Sequence, residues 1–147
     1  MLYPSNGTPE SCAGFTTFDV SPSNDNAMRN IINGMIDGSY QVPPTTAGVT
    51  QIQMTNGTLS NPTWNALVSL FQQRSAGTGY WDALVPVYEG NDCSPSGAIT
   101  IKGYANIRIT NVQGPPNHLI TGNVTCPLFQ SGGVGGGPAF GVFTTVP

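Results

Sequence analysis

Charge is what this chain has least of. Only 7% of its 147 residues are Asp, Glu, Lys or Arg, where about 25% is usual for a globular domain. Four basic residues against seven acidic ones leave a net charge of −3. That excludes the basic stripe a nucleic acid would require and gives no polybasic handle on anionic lipid. A single histidine, His118, leaves little from which to build a catalytic triad, and no nucleophile-elbow pattern occurs. No run reaches the roughly 18 apolar residues of a membrane span, and the first residues do not read as a signal peptide. The three cysteines, Cys12, Cys93 and Cys126, are too far apart for a zinc knuckle and lack the histidines to complete one. No cofactor is implied.

The hydrophobic fraction, 38%, is ordinary, so Thr, Asn, Ser and Gln must form the polar surface in place of charges. Exported and polymer-forming proteins share this balance, because uncharged β-rich surfaces tolerate close lateral packing. The length suits one domain. Its organising stretch runs from Trp81 to Cys126. From Ala98 to Thr110 the odd positions are Ile99, Ile101, Gly103, Ala105, Ile107 and Ile109, and the even ones include Thr100, Lys102, Tyr104, Asn106 and Arg108. Such alternation marks a strand with one dry and one wet face. Turn chemistry at Asn111–Pro116 separates it from a second alternating run, Ile120, Gly122, Val124 and Cys126. The pattern predicts a long antiparallel hairpin preceded by a strand at Ala83–Tyr88, with a bend or bulge at Gly103.

Ahead of this hairpin, residues 1–11 carry turn residues and read as an extended arm. Ala13–Val20 predicts a short strand, although the spacing of Phe15 and Phe18 does not alternate. Ser21–Asp25 is a helix-start signal, and Met28, Ile31, Ile32, Met35 and Ile36 form one apolar stripe that Gly38 stops. Val49, Ile52 and Met54 mark a strand ending at the Asn56-Gly57 turn. A second helix opens with Asn61 as N-cap and Pro62 at its first position, its stripe being Trp64, Leu67, Val68 and Phe71. A core over 12–130 gives way to a glycine-rich tether at 131–137 and a β-prone segment at 138–147. Phe140, Val142 and Val146 share one face of that segment and Phe143 the other. An apolar terminal strand of this kind must pair with a sheet edge, in its own subunit or in a neighbour.

Other groups read as ordinary structure. Glu89, Asn91 and Asp92 offer oxygen ligands but lack the regular spacing of a calcium loop. Asn6, Asn56 and Asn123 head N-glycosylation patterns, relevant only in a host that modifies them. Tyr80 and Tyr88 are candidates for a sugar-contacting surface, while Trp81 beside them reads as core. In an exported protein three cysteines give one disulfide and one odd thiol. Cys93 precedes the long strand and Cys126 ends its partner, so Cys93–Cys126 is the first assignment, with either pairing to Cys12 open.

The motifs "CAGFTTFDVS", "NGMIDGS", "WDALVPVYEG", "IKGYANIRITNV" and "GGGPAFGVFTTV", in that order, resemble the extracellular C-terminal region of TadG-like proteins of the bacterial tight-adherence (Tad/Flp) pilus-assembly system. The resemblance spans most of the chain, and it implies an exported, non-enzymatic protein of the cell surface or a pilus. It carries no catalytic residues with it. This chain departs from that pattern in having no N-terminal hydrophobic anchor.

The expectation is therefore an α+β fold: an antiparallel sheet, two amphipathic helices on one face, and a C-terminal strand on a glycine-rich tether. The expected role is an extracellular structural subunit, pilus-associated or filament-forming, which assembles with its own copies or with other pilus and envelope proteins through strand edges. A secreted carbohydrate-binding or adhesin module is the alternative, and a hydrolase with His118 as base ranks third.

Overall fold

The computed structural model describes residues 15–55, 58–89, 97–129 and 144–146. Residues 1–14, including Cys12, lie outside it, as do Cys93 and the glycine-rich tether. The fold is α+β. In chain order the elements are β1 (Phe15–Phe18), α1 (Asp25–Asp37), β2 (Gln51–Thr55), α2 (Asn61–Arg74), β3 (Trp81–Glu89), β4 (Gly97–Gln113), β5 (Leu119–Phe129) and β6 (Thr144–Val146).

Strand β4, 17 residues long, is the spine of the sheet. It pairs antiparallel with β2 through Gly97–Thr100, with β3 through Ile101–Ile109 and with β5 through Tyr104–Gln113. Strand β1 extends the sheet beyond β2, and β6 lies in parallel beside β3. Val87 faces Gly103 and Tyr88 faces Ile101, which leaves Lys102 as the extra residue of a bulge. The bend anticipated at Gly103 is there. One face of the β3–β4 pair is dry, as the alternation requires: Trp81, Ala83, Val85, Val87, Ala105, Ile107 and Ile109 are all buried, whereas Val124 of β5 is 50% exposed.

The first helix follows its sequence signals closely. Asn24 caps it, its Oδ1 accepting from the Ala27 N–H at 2.9 Å. Gly38 ends it at φ 82°, a left-handed conformation that costs glycine nothing. Met28, Ile31, Ile32 and Met35 are buried and Ile36 partly so. The second helix starts one residue earlier than the sequence suggested. Its N-cap is Ser60, not Asn61, because the Ser60 hydroxyl faces the Thr63 N–H and is itself held by Asp25. Its buried side is Thr63, Trp64, Leu67 and Leu70, with Val68 and Phe71 only partly covered.

The two helices lie side by side in the same direction. Asp25, at the start of α1, bonds Ser60 at the start of α2. At the other end Arg74 donates to the Met35 carbonyl at 3.2 Å and Gln73 to the Ile36 carbonyl at 3.0 Å. Those carbonyls belong to the last turn of α1, where the helix itself supplies no N–H to accept from. The pair meets the sheet at several points, among them Trp64, whose ring meets Phe15 edge-on at 6.4 Å. Strand β1 buries both Phe15 and Phe18 despite their odd spacing. A register shift between Thr16 and Phe18 and a φ of 55° at Phe18 turn both rings inward. The buried Thr16 and Thr17 hydroxyls are satisfied by the Gln53 and Val20 carbonyls.

Candidate functional site: the sheet edges

Among the described residues the ionisable side chains do not converge. Asp25 is tied to Ser60, and Asp37 accepts from the Ser39 N–H at 2.8 Å. Asp82 takes two 2.8 Å hydrogen bonds from Arg108, on a surface where the two side chains are 37% and 41% exposed. The hydrogen bonds from Arg108 hold the Asp82 carboxyl below its usual range, more strongly than the slight burial raises it. Asp37 is held low in the same way by Ser39. Among the described residues no three of His, Cys, Asp and Glu cluster as metal ligands. The Asn91 and Asp92 part of the suggested calcium loop lies outside them, as does the Glu89 side chain.

His118 is placed by packing. Its ring stacks on Trp64 with centroids 5.2 Å apart, and its Nε2 lies 3.1 Å from Asn61 Oδ1. With its backbone at φ 50°, it fastens the β4–β5 turn to the first turns of α2. Gly114 in the same turn approaches Asn65 and Val68 so closely that a Cβ there would lie 3.2 Å from Asn65 Oδ1.

The aromatic trio of Tyr80, Trp81 and Tyr88 does not make a sugar platform. Trp81 is buried, as expected, but Tyr88 is buried too, 4% exposed. Tyr88 faces Ile101 across the β3–β4 ladder, so it belongs to the core. Tyr80 remains half-exposed, and the Arg108 guanidinium covers its face at 3.9 Å from the ring centroid. A shallow cleft of about 360 Å³ opens at Ser21, Asn24, Asn26, Asn30 and Tyr40. It holds no pair of acidic or basic groups. The Tyr40 hydroxyl is buried with no hydrogen-bond partner among the described residues, and burial, with Asp19 and Tyr104 adding to it, pushes its pKa up to about 12.

The features that remain are the margins of the sheet. On one side β6 adds three ladder pairs to β3: Thr144 opposite Val87, Thr145 opposite Tyr88 and Val146 opposite Glu89. Of the four side chains assigned to terminal-strand assembly, Val146 therefore stands in a strand of its own subunit. Phe140, Val142 and Phe143 lie outside the described residues. On the other side β5, with the sequence LITGNVTCPLF, carries no charged residue over its 11 positions. It pairs with β4, and no other described strand lies beside it. Asn123, Val124 and Thr125 are exposed. Cys126 sits in this strand opposite Asn106; with Cys12 and Cys93 outside, no disulfide forms among the described residues.

Two prolines stand near these margins. Proline has no N–H to give a ladder and so is confined to edge strands and bulges. Pro86 lies within β3 and Pro127 within β5, while β2 and β4 have none. Pro86 pairs with Tyr104 of β4, and the β6 ladder begins only after it, at Val87. Compared with known proteins, the chain matches no family model, no curated protein and no solved structure.

Proposed function

We propose that this chain is a non-enzymatic extracellular structural protein, a pilus-associated or filament-forming subunit that assembles through β-strand edges. The observation that carries this reading is the seat of β6. The terminal strand adds to β3 by three parallel pairs in an otherwise antiparallel sheet. A short added strand of this kind is held chiefly by main-chain hydrogen bonds, and the same slot accepts the equivalent segment of a neighbour. Passing the segment from each subunit to the next is a heterologous contact, which grows a filament when its rotation does not close. The scarcity of surface charge supports the reading, since like charges at strand edges oppose such pairing.

The ordered motifs that resemble TadG-like proteins point to the same cell-surface setting. In that setting the cysteines pair, Cys93 with Cys126 by first assignment. The test is the state of assembly of the intact chain against two variants, one lacking Pro138–Pro147 and one carrying Thr145→Pro. Both variants are expected to lose or weaken the polymer while keeping the folded sheet. A polymer unchanged in both would overturn terminal-strand exchange.

A further inference from the structure

We propose that the cleft beside the start of α1 binds a neutral saccharide, which the Tyr40 hydroxyl and the Asn30 carboxamide hold. This activity goes beyond assembly through strand edges and does not depend on it.

Unspent hydrogen-bonding capacity, gathered at one place, carries the inference. The cleft encloses about 360 Å³, and its lining includes Val20, Pro22, Asn24, Asn26, Asn30 and Tyr40. Among the described residues two buried side-chain polar atoms lack a hydrogen-bond partner, the hydroxyls of Tyr40 and Ser23. Both belong to this cleft: Tyr40 lines it, and Ser23 stands between Pro22 and Asn24 of the lining. Buried hydroxyls elsewhere are paired. Thr16 and Thr17 donate to main-chain carbonyls, and Thr45 and Tyr104 bond each other at 2.7 Å. A hydroxyl shut away from water with nothing to bond costs stability unless another molecule completes it. The carboxamides are available too. Asn24 and Asn26 spend only their Oδ1 atoms, on the Ala27 N–H and the Arg29 guanidinium. Asn30 is exposed, and its side chain is not engaged by the described residues.

The pattern selects the ligand. No lining side chain is charged, and the Asp19 carboxylate, close enough for its charge to act on the Tyr40 hydroxyl, repels an anion. An ammonium group donates hydrogen bonds and accepts none, so it leaves the Tyr40 proton unpaired. A sugar hydroxyl does both, and so meets a phenol that must donate and a carboxamide that donates and accepts. The C–H face of a sugar ring has its counterpart in Val20 and Pro22, both exposed apolar side chains. The volume lies near the lower end of the about 300–1,000 Å³ found for small-molecule sites. That suits a terminal sugar, not a long polysaccharide segment.

Saturation-transfer NMR of the intact chain with glucose, galactose, mannose and N-acetylglucosamine tests the site, with sialic acid and glucosamine as charged controls. At least one neutral sugar should bind, and more tightly than either control. Tyr40→Phe keeps the ring and removes only the unpaired hydroxyl. Its melting temperature should equal or exceed that of the parent, while affinity for the sugar falls about threefold to tenfold. Asn30→Ala, at an exposed helical position, should fold normally and weaken binding by a similar factor. Tyr80→Ala should leave binding unchanged. Silence from all four neutral sugars would overturn the proposal, as would binding confined to the charged controls. Undiminished affinity in Tyr40→Phe and Asn30→Ala would also overturn it, and if Tyr80→Ala then abolished binding the sugar would sit on a different surface. A lower melting temperature for Tyr40→Phe would show the hydroxyl already engaged within the fold, and the proposal would fail on that ground too.

Discussion

The Asp25 carboxylate holds the starts of both helices together. It accepts the Ser60 backbone N–H at 2.7 Å through Oδ1 and the Ser60 hydroxyl at 2.9 Å through Oδ2. One side chain therefore lies in the first turn of α1, where negative charge is favoured, and fixes the N-cap of α2. Partial burial alone would raise its pKa. The hydrogen bonds from Ser60 and Thr63 and the charge of Arg29 outweigh that, and the net shift is downward.

Asp25→Ala is expected to destabilise the fold by about 1 kcal/mol, the scale of a partly exposed charge-assisted hydrogen bond. The lowered folded-state pKa also fixes the sign of the pH dependence. The stabilisation from Asp25 is complete above the unfolded value of 3.8 and disappears as pH falls through the folded value below it. Urea midpoints at pH 7 and pH 3 measure both effects. The gap between parent and Asp25→Ala should narrow at the lower pH, and a gap that widened there would contradict the arrangement.

His118 is expected to act as a clip between the β4–β5 turn and α2. His118→Asn retains a residue tolerant of positive φ but removes the ring stacked on Trp64 and the contact with Asn61. The loss should be about 1 kcal/mol, seen as a melting temperature lower by about 3 °C. His118→Val should cost more, since a β-branched residue resists that backbone conformation. Equal melting temperatures for the two variants would show that the backbone conformation does not matter there.

Gly122 is a sharper steric test. A Cβ at this position would stand 2.7 Å from the Arg108 carbonyl oxygen and 3.3 Å from the Ile109 Cα, so the backbone of β4 or β5 must move. Gly122→Ala should cost about 1–3 kcal/mol, as overpacking does. Gly114→Ala, whose nearest neighbour is the movable Asn65 side chain at 3.2 Å, should cost less. Denaturant titration of the two variants gives the order directly, and the reverse order would contradict the tight β4–β5 packing.

Most of the framework was legible wherever side-chain periodicity was strong. Isoleucines at alternate positions located β4 and its dry face, and the stripe from Met28 to Met35 located α1 together with its Gly38 stop. Legibility failed where tertiary contact decided the outcome. The strand at Phe15–Phe18 lies within the expected Ala13–Val20, but the burial of both rings does not follow from their spacing, because a bulge and a left-handed Phe18 cannot be read from it. Ser60 displaced Asn61 as N-cap because Asp25, 35 residues earlier, supports the serine. Tyr88 looked like a surface aromatic until the bulge at Lys102 set it opposite Ile101. The sheet margins were readable in principle. Pro127 lies in β5, paired only with β4 among the described strands, and Pro86 lies in β3 just before the stretch that β6 joins; hydrophobic alternation carries no sign of a missing N–H.

Electron microscopy of the purified intact chain tests assembly through strand edges most directly. Filaments with a repeat of one or two subunits are expected, and they should shorten or vanish in Thr145→Pro. Uniform monomeric particles at every concentration, unchanged by that substitution, would contradict it.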